Sequence, residues 1–223
     1  MYKGVIFDFN GTLFEDEDLQ AEGWAAVIRK YFLREMPMEE FHEKILGRGN
    51  PEILDYLNGL DPEKQFDISI TDEKERDYRA FCLDHPERTV LLPGAEETFE
   101  ALKAAGIPFA IATASEITNV DFYFETFRLD RWFSRSRVIY DDRTFPVKPA
   151  PDIYLHAAAR LGLDPADCVV CEDTLSGVRS AAAAGAGRII TRGSDPTEGS
   201  GLKIPIYAVI DDFRGFFPKY LED

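Results

Sequence analysis

The chain has 223 residues, 45% of them hydrophobic, which suits one well-packed globular core with room for a smaller second unit. A formal charge of −16 excludes nucleic acid or an anionic membrane as the main partner, since both demand a basic face, and it obliges any anionic substrate to meet a local cation. Three cysteines argue against a disulfide framework, and the absence of a cleavage-site pattern or long apolar segment leads us to expect a cytoplasmic protein.

The first predicted element is the strand "GVIFDF" (4–9), which carries the chain to Asp8 and into a turn at Asn10 and Gly11. Residues 15–91 then lose the strand rhythm. They contain helical patterns, with Trp24, Val27, Ile28 and Tyr31 on one face and Ile53, Leu54 and Leu57 on another, and "FDISI" (66–70) as the one possible short strand. This reads as a helical insertion, entered through "EDED" (15–18) and left through "LLPG" (91–94). Beyond it, strands are predicted at 107–113, 137–140, 168–171, 187–191 and 207–210. Between them lie helices such as "PDIYLHAAARLG" and "TLSGVRSAAAAG", each stopping at a glycine. Alternating strands and helices imply an α/β fold with a doubly wound, mostly parallel, Rossmann-like sheet. The expected division is a core of residues 1–14 and 92–223 and a helical cap of residues 15–91. Cys168 and Cys171 form a C-x-x-C inside a strand, where residues three apart face opposite sides, so neither a disulfide nor a shared metal is expected.

In open parallel sheets ligands bind beyond the carboxyl ends of the strands. Asp8 ends the first strand; Thr113, followed by Ala114 and Ser115, ends the second; Glu172 and Asp173 follow the fourth; and Lys148 precedes a helix in "VKPAPDIY". Taken singly, each has an ordinary reading: a helix cap, a surface lysine, a strand-end hydroxyl. Together at one sheet edge, the carboxylates suit Mg²⁺, and the hydroxyl, the amides at a helix start and the ammonium suit a phosphoryl group. Metal and phosphate in one place suggest phosphoryl transfer.

The ordered pieces "FDFNGTL", "ATAS", "KPAPDIY" and "CEDTLSGVRSAAAAG", with "LLPGAEETFEALKAAG", resemble the haloacid dehalogenase (HAD) superfamily, in its β-phosphoglucomutase/phosphatase-like branch with a cap after the first strand. The resemblance implies that Asp8 is a nucleophile that forms an aspartyl-phosphate later hydrolysed by water. It implies that Thr113, the amide at Ala114 and Lys148 hold phosphate. It also implies that Mg²⁺ is held by Asp8, the main-chain carbonyl of Asn10, and the Glu172–Asp173 pair, with Asp173 the direct ligand of the two.

Asn10 departs from the pattern, because hydrolytic members carry there an Asp that gives a proton to the leaving alkoxide. An amide can make similar hydrogen bonds but exchanges no proton near neutral pH. The expectation is therefore an Mg²⁺-dependent phosphatase-type hydrolase with reduced or altered activity on a small phosphorylated metabolite, acting as a monomer. The alternative is a catalytically impaired protein that binds such a metabolite. Asn10 marks unusual subfamily chemistry or drift from catalysis to binding, in preference to an introduced block. In the cap, "LGRGNPEILDYL" (46–57) is similar to the substrate-reading loop of the mutases, so Arg48, Asn50 and Gln20 are candidate substrate contacts. A mutase activity is disfavoured, because Gln20 stands where those enzymes have His and Asn50 where they have Arg. A phosphonatase would need a cap lysine, but Lys30 and Lys44 sit in solvent-facing patterns. His42, His85 and His156 are isolated and suggest no triad or zinc site.

Overall fold

The structure, a computed structural model, describes residues 1–222. Short runs of Val, Ile and Phe form a six-stranded sheet in the order β3-β2-β1-β4-β5-β6, parallel at every pairing. The strands are β1 (Gly4–Phe7), β2 (Phe109–Glu116), β3 (Val138–Asp141), β4 (Cys168–Glu172), β5 (Arg188–Arg192) and β6 (Ala208–Ile210). All four residues of β1 and all five of β4 are buried, as expected of central strands covered on both faces.

Alternation along the strands feeds two cores. Val5, Phe7 and Ile111 enter a core on one face, shared with Phe99, Phe213 and Phe216, whereas Ile6, Ala110 and Val170 enter the other with Ile153, Tyr154 and Val178. The helices α5 (Ala95–Ala104) and α6 (Ile117–Thr126) cover the first face, and α7 (Asp152–Leu161) and α8 (Leu175–Ala183) the second. Cys168 packs into one core and Cys171 into the other, both as free thiols, so the strand geometry separates them as anticipated.

Between β1 and α5 the chain builds the inserted helical cap from α1 (Glu17–Val27), the one-turn α2 (Met38–Glu40), α3 (Asn50–Leu60) and α4 (Ser69–Asp84). Its own apolar cluster includes Trp24, Ile28, Phe41, Ile53, Leu57 and Ile70. The possible strand at 66–70 is not formed. The Asp67 carboxylate accepts the Ser69 N–H at 2.8 Å and starts α4 there, while Phe66 and Ile68 pack on the cap cluster. The second strand also runs past the expected end at Thr113, to Glu116, with a register irregularity against β3 between Ala112 and Glu116. Among the described residues no helix is long and apolar enough to cross a membrane.

Candidate active site

The carboxyl ends of β1, β2 and β4 open into one cleft beneath the cap, of about 720 Å³ counted to its open mouth, within the range usual for small-molecule sites. Asp8, Thr113, Ala114, Lys148 and Asp173 all line it. Asp8 leaves β1 with its N–H bonded to the Cys171 carbonyl at 2.9 Å, which ties its backbone to the end of β4. The turn then closes on Phe9, whose carbonyl accepts the N–H groups of Leu13 and Phe14 at 2.8 and 3.0 Å. Gly11 adopts φ +75°, and a Cβ there would lie 1.9 Å from Asp173 Oδ2, so only glycine permits this approach.

Lys148 is 1% exposed, and among the described residues it is the cation beside the Asp8–Glu172–Asp173 carboxylates. Its ammonium contacts Asp8 and donates to Glu172 at 2.6 Å. Glu172 has both oxygens engaged. Oε1 accepts from Lys148 and from the Tyr154 hydroxyl at 2.7 Å, and Oε2 accepts the Asp173 and Thr174 N–H groups at 2.9 and 3.0 Å. It thus anchors the lysine. Asp173 accepts the Thr12 hydroxyl at 2.9 Å.

Ligand oxygens of Asp8, Glu172 and Asp173 lie within 4.8 Å of one another, a set able to hold a metal ion. Burial pushes the Asp8 carboxyl up to about 7, opposed by Lys148 and reinforced by Glu172. Burial and the charges of Glu172 and Asp8 hold Asp173 well above the usual carboxylate range. Burial acts the same way on Glu172, but Lys148 and its hydrogen bonds outweigh it and bring it below its ordinary value. Burial would lower Lys148, but the two carboxylates beside it raise it. One ammonium therefore faces three carboxylates, those of Asp8 and Glu172 buried and that of Asp173 half-buried, and the excess negative charge with hard oxygen donors fits a divalent cation such as Mg²⁺.

Asn10 lies beside this group but its side chain is fully engaged. Its Nδ2 donates to Asp16 at 2.6 Å and to the hydroxyls of Tyr123 and Tyr78 at 2.9 and 3.3 Å. Its Oδ1 accepts from Ser115 at 2.8 Å, Tyr123 at 3.3 Å and Thr113 at 3.5 Å. The Tyr123 ring stacks on Phe9 with centroids 4.3 Å apart, which aims its hydroxyl at the amide. Asp16 is buried and also accepts from Tyr78 at 2.7 Å, Gln20 at 3.0 Å and the Gly11 N–H at 3.1 Å. Asp16, Tyr78 and Tyr123 are absent from the sequence expectations. Asp16 sits in an acidic run that reads as a solvated linker, and the tyrosines sit in amphipathic helices, so nothing local marks them.

The three cap candidates also face the cleft. Gln20 accepts from Lys74 at 2.5 Å, and Asn50 donates to Glu75 at 2.8 Å. Lys74 and Glu75 form a buried ion pair at 2.9 Å, and Asn119 donates to Glu75 at 2.7 Å. That pair is hidden in the charged run "DEKERD", where helix phase alone does not tell which charges turn inward. Arg48 is paired with Glu52. Lys30 and Lys44 stay largely exposed, Lys30 paired with Glu73.

A family model described as haloacid dehalogenase-like hydrolase matches residues 2–185. The phosphorylated carbohydrates phosphatase of Thermotoga maritima is 29% identical over 191 residues, covering 84% of this chain and 83% of its own. A HAD hydrolase of family IA, variant 3, from Entamoeba histolytica superposes with a TM-score of 0.82 at 34% identity, over 98% of this chain and 97% of that one. CbbY from Rhodobacter sphaeroides, solved as an aspartate-to-asparagine mutant with xylulose-(1,5)bisphosphate, gives a TM-score of 0.77 at 26% identity, over 96% and 95% of the two chains.

Proposed function

This chain belongs to the haloacid dehalogenase-like hydrolases, and from that premise we propose that it is an Mg²⁺-dependent phosphatase of small phosphorylated metabolites, acting through Asp8 and slowed by Asn10. The observation that carries this reading is the convergence of Asp8, Thr113, Lys148 and Asp173 on one cleft. The relatedness to a carbohydrate phosphatase over most of both chains agrees with it.

Asp8 and Asp173, with the carbonyl of Asn10, would hold the cation, and Glu172 would keep Lys148 in place. When bound, Mg²⁺ supplies the positive charge that lets a phosphate dianion approach a carboxylate. The rest follows from the chain's own groups. Lys148 neutralises a phosphoryl oxygen as a point charge, and Thr113 Oγ1 with the neighbouring amides orients the others. Asp8 attacks phosphorus, the P–O ester bond breaks, and the alkoxide leaves. Water then attacks the aspartyl-phosphate, releasing inorganic phosphate and restoring Asp8.

Asn10 has no proton to lend to either step, and a missing general acid–base group slows turnover by roughly 10²- to 10⁴-fold, about 3 to 5 kcal/mol of barrier. Aryl and acyl phosphates, whose leaving groups need no proton, suffer least. A second reading, a phosphometabolite-binding protein with little turnover, is favoured by one observation: the Asn10 amide is tied to Asp16, Ser115 and two tyrosines rather than free to serve a leaving group. The same reading takes residues 15–91 as the cap of a core made of 1–14 and 92–223. The two connections run side by side where Phe14 pairs with Leu91 and the Leu92 N–H meets the Leu13 carbonyl at 2.9 Å. It also takes the protein as a cytoplasmic monomer without a nucleic-acid partner.

The test is hydrolysis of an aryl phosphate with and without Mg²⁺, together with mass spectrometry for a beryllofluoride adduct that the Asp8→Asn variant loses. Metal-dependent turnover and a specific adduct are expected. Absence of both leaves only binding.

A further inference from the structure

Resting on the metal-dependent reading, we propose that Arg192 is a positioning residue for the cation site. From the end of β5 its guanidinium holds the Gly11 carbonyl and the Glu15 carboxylate together, and so fixes the turn on which Asp173 is seated. Asp173 meets that turn with both oxygens. Oδ1 accepts the Thr12 hydroxyl at 2.9 Å, and Oδ2 is the atom that a Cβ on Gly11 would strike. The peptide unit joining Gly11 to Thr12 is therefore the wall behind this ligand. The Gly11 N–H is tied to the Phe14 carbonyl at 2.7 Å and to Asp16 Oδ1 at 3.1 Å. The Gly11 carbonyl accepts from Arg192 Nε.

The backbone of Arg192 is itself held. It closes β5, and Gly193 turns the chain away at φ +79° while donating its N–H to the Ile210 carbonyl at 2.8 Å. The Arg192 side chain is 14% exposed, against 50% for Glu15. An ion pair that is half in water contributes little stability by itself. What Glu15 supplies is direction: with Nη1 held there, Nε is aimed at the Gly11 carbonyl, in a charge-assisted hydrogen bond stronger than a neutral one. Lysine carries the same charge but lacks the planar fork that serves both partners at once. Without the fork the Gly11–Thr12 peptide is free to rotate, and Asp173 loses the support that orients its oxygens, as happens when a group behind a metal ligand is removed.

The experiment titrates Mg²⁺ into the native chain and into Arg192→Ala, Arg192→Lys and Glu15→Gln, read by calorimetry, with aryl phosphate turnover followed against Mg²⁺ concentration. Arg192→Ala is expected to weaken Mg²⁺ binding about 10- to 100-fold, and the turnover it loses at low Mg²⁺ should return at high Mg²⁺. Arg192→Lys should lose less than the alanine variant, and Glu15→Gln, which keeps the donor to Gly11, less again. Mg²⁺ affinity unchanged in Arg192→Ala, whatever happens to its Tm, marks a merely structural arginine and overturns the inference. Should that variant not fold, Arg192→Lys decides on the same criterion. If the native chain binds Mg²⁺ and hydrolyses aryl phosphate while the arginine variants bind the ion equally well, the phosphatase reading survives alone. If the native chain neither binds Mg²⁺ nor turns over aryl phosphate, both fall together.

Discussion

Asn10 and Asp16 are joined side chain to side chain at 2.6 Å, amide to carboxylate, so the acid that the Asn10 amide reaches is already committed to holding it still. Asp16 is buried, and burial raises its carboxyl above the ordinary range despite the hydrogen bonds from Gln20, Tyr78 and Asn10. Replacing Asn10→Asp alone sets a half-buried carboxylate at hydrogen-bond distance from the buried one of Asp16, where the two must share a proton or push apart. The single variant is therefore expected to gain little alkyl phosphatase activity and to lose stability. The exchange Asn10→Asp with Asp16→Asn keeps one acid and one amide, and should raise alkyl phosphate turnover by about 10²- to 10⁴-fold. Steady-state kinetics on an alkyl and an aryl phosphate check this, and a full gain from the single variant refutes it.

Removal of the metal should be felt most at high pH. In the metal-free chain the Asp8 carboxyl titrates near 7 rather than at its unfolded 3.8, so stability is lost as pH rises between those values. Burial and neighbouring charge raise Asp173 as well. A cation binds the deprotonated carboxylates and relieves their repulsion. The rise in Tm on adding Mg²⁺ is expected to be larger at about pH 8 than at about pH 5, and to vanish with a chelator. Equal gains at both pH values count against the carboxylate site.

Glu75 makes the opposite contribution. Burial would raise it, but Lys74 together with Asn119 and Asn50 outweighs burial and holds its carboxyl below the ordinary value of 4.5. Its stabilisation is present above 4.5 and is lost as pH falls through the lowered folded value. Glu75→Gln strands the Lys74 charge and should cost about 3 to 5 kcal/mol near neutrality. The gap between the two proteins should narrow on acidification below 4.5. Denaturant melts across pH measure both, and a gap that widens in acid contradicts the assignment.

Two glycines with opposite surroundings provide an internal comparison. A Cβ on Gly177 would lie 1.7 Å from Glu172 Oε1, so Gly177→Ala must displace the carboxylate that anchors Lys148. It should cost about 1 to 3 kcal/mol and weaken phosphate binding. Gly59, in α3, has nothing within 4 Å of its Cβ position, so Gly59→Ala should be neutral or stabilising by up to about 1 kcal/mol. Thermal melts and inorganic phosphate titrations of both variants decide it.

Much of this site was legible in the chain because topology does the assembly. Asp8 and Asp173 directly follow β1 and β4, and Thr113 lies three residues before the end of β2; parallel pairing brings the carboxyl ends of these strands to one edge whatever the side-chain detail. The sheet and the helical insertion followed from hydrophobic period in the same way. The possible strand "FDISI" does not form because a short alternating run is not a strand without an edge to pair with, and Asp67 offers the backbone a helix start instead.

Sequence alone thus determined which residues reach the carboxyl edge of the sheet, since that depends on order and period along the chain, and its resemblance to the haloacid dehalogenase superfamily implied that Asn10 stands where a proton donor is expected. Only the tertiary structure decided what surrounds them. Asp16 grips the Asn10 amide, Glu172 anchors Lys148 through Oε1 while its Oε2 holds the Asp173 and Thr174 N–H groups, and Lys74 and Glu75 turn inward as a buried pair. The physical reason is that a charged helix face has the same local pattern whether it meets water or a partner. The difference lies in which distant carboxylates, amides and hydroxyls folding brings to within about 3 Å of it.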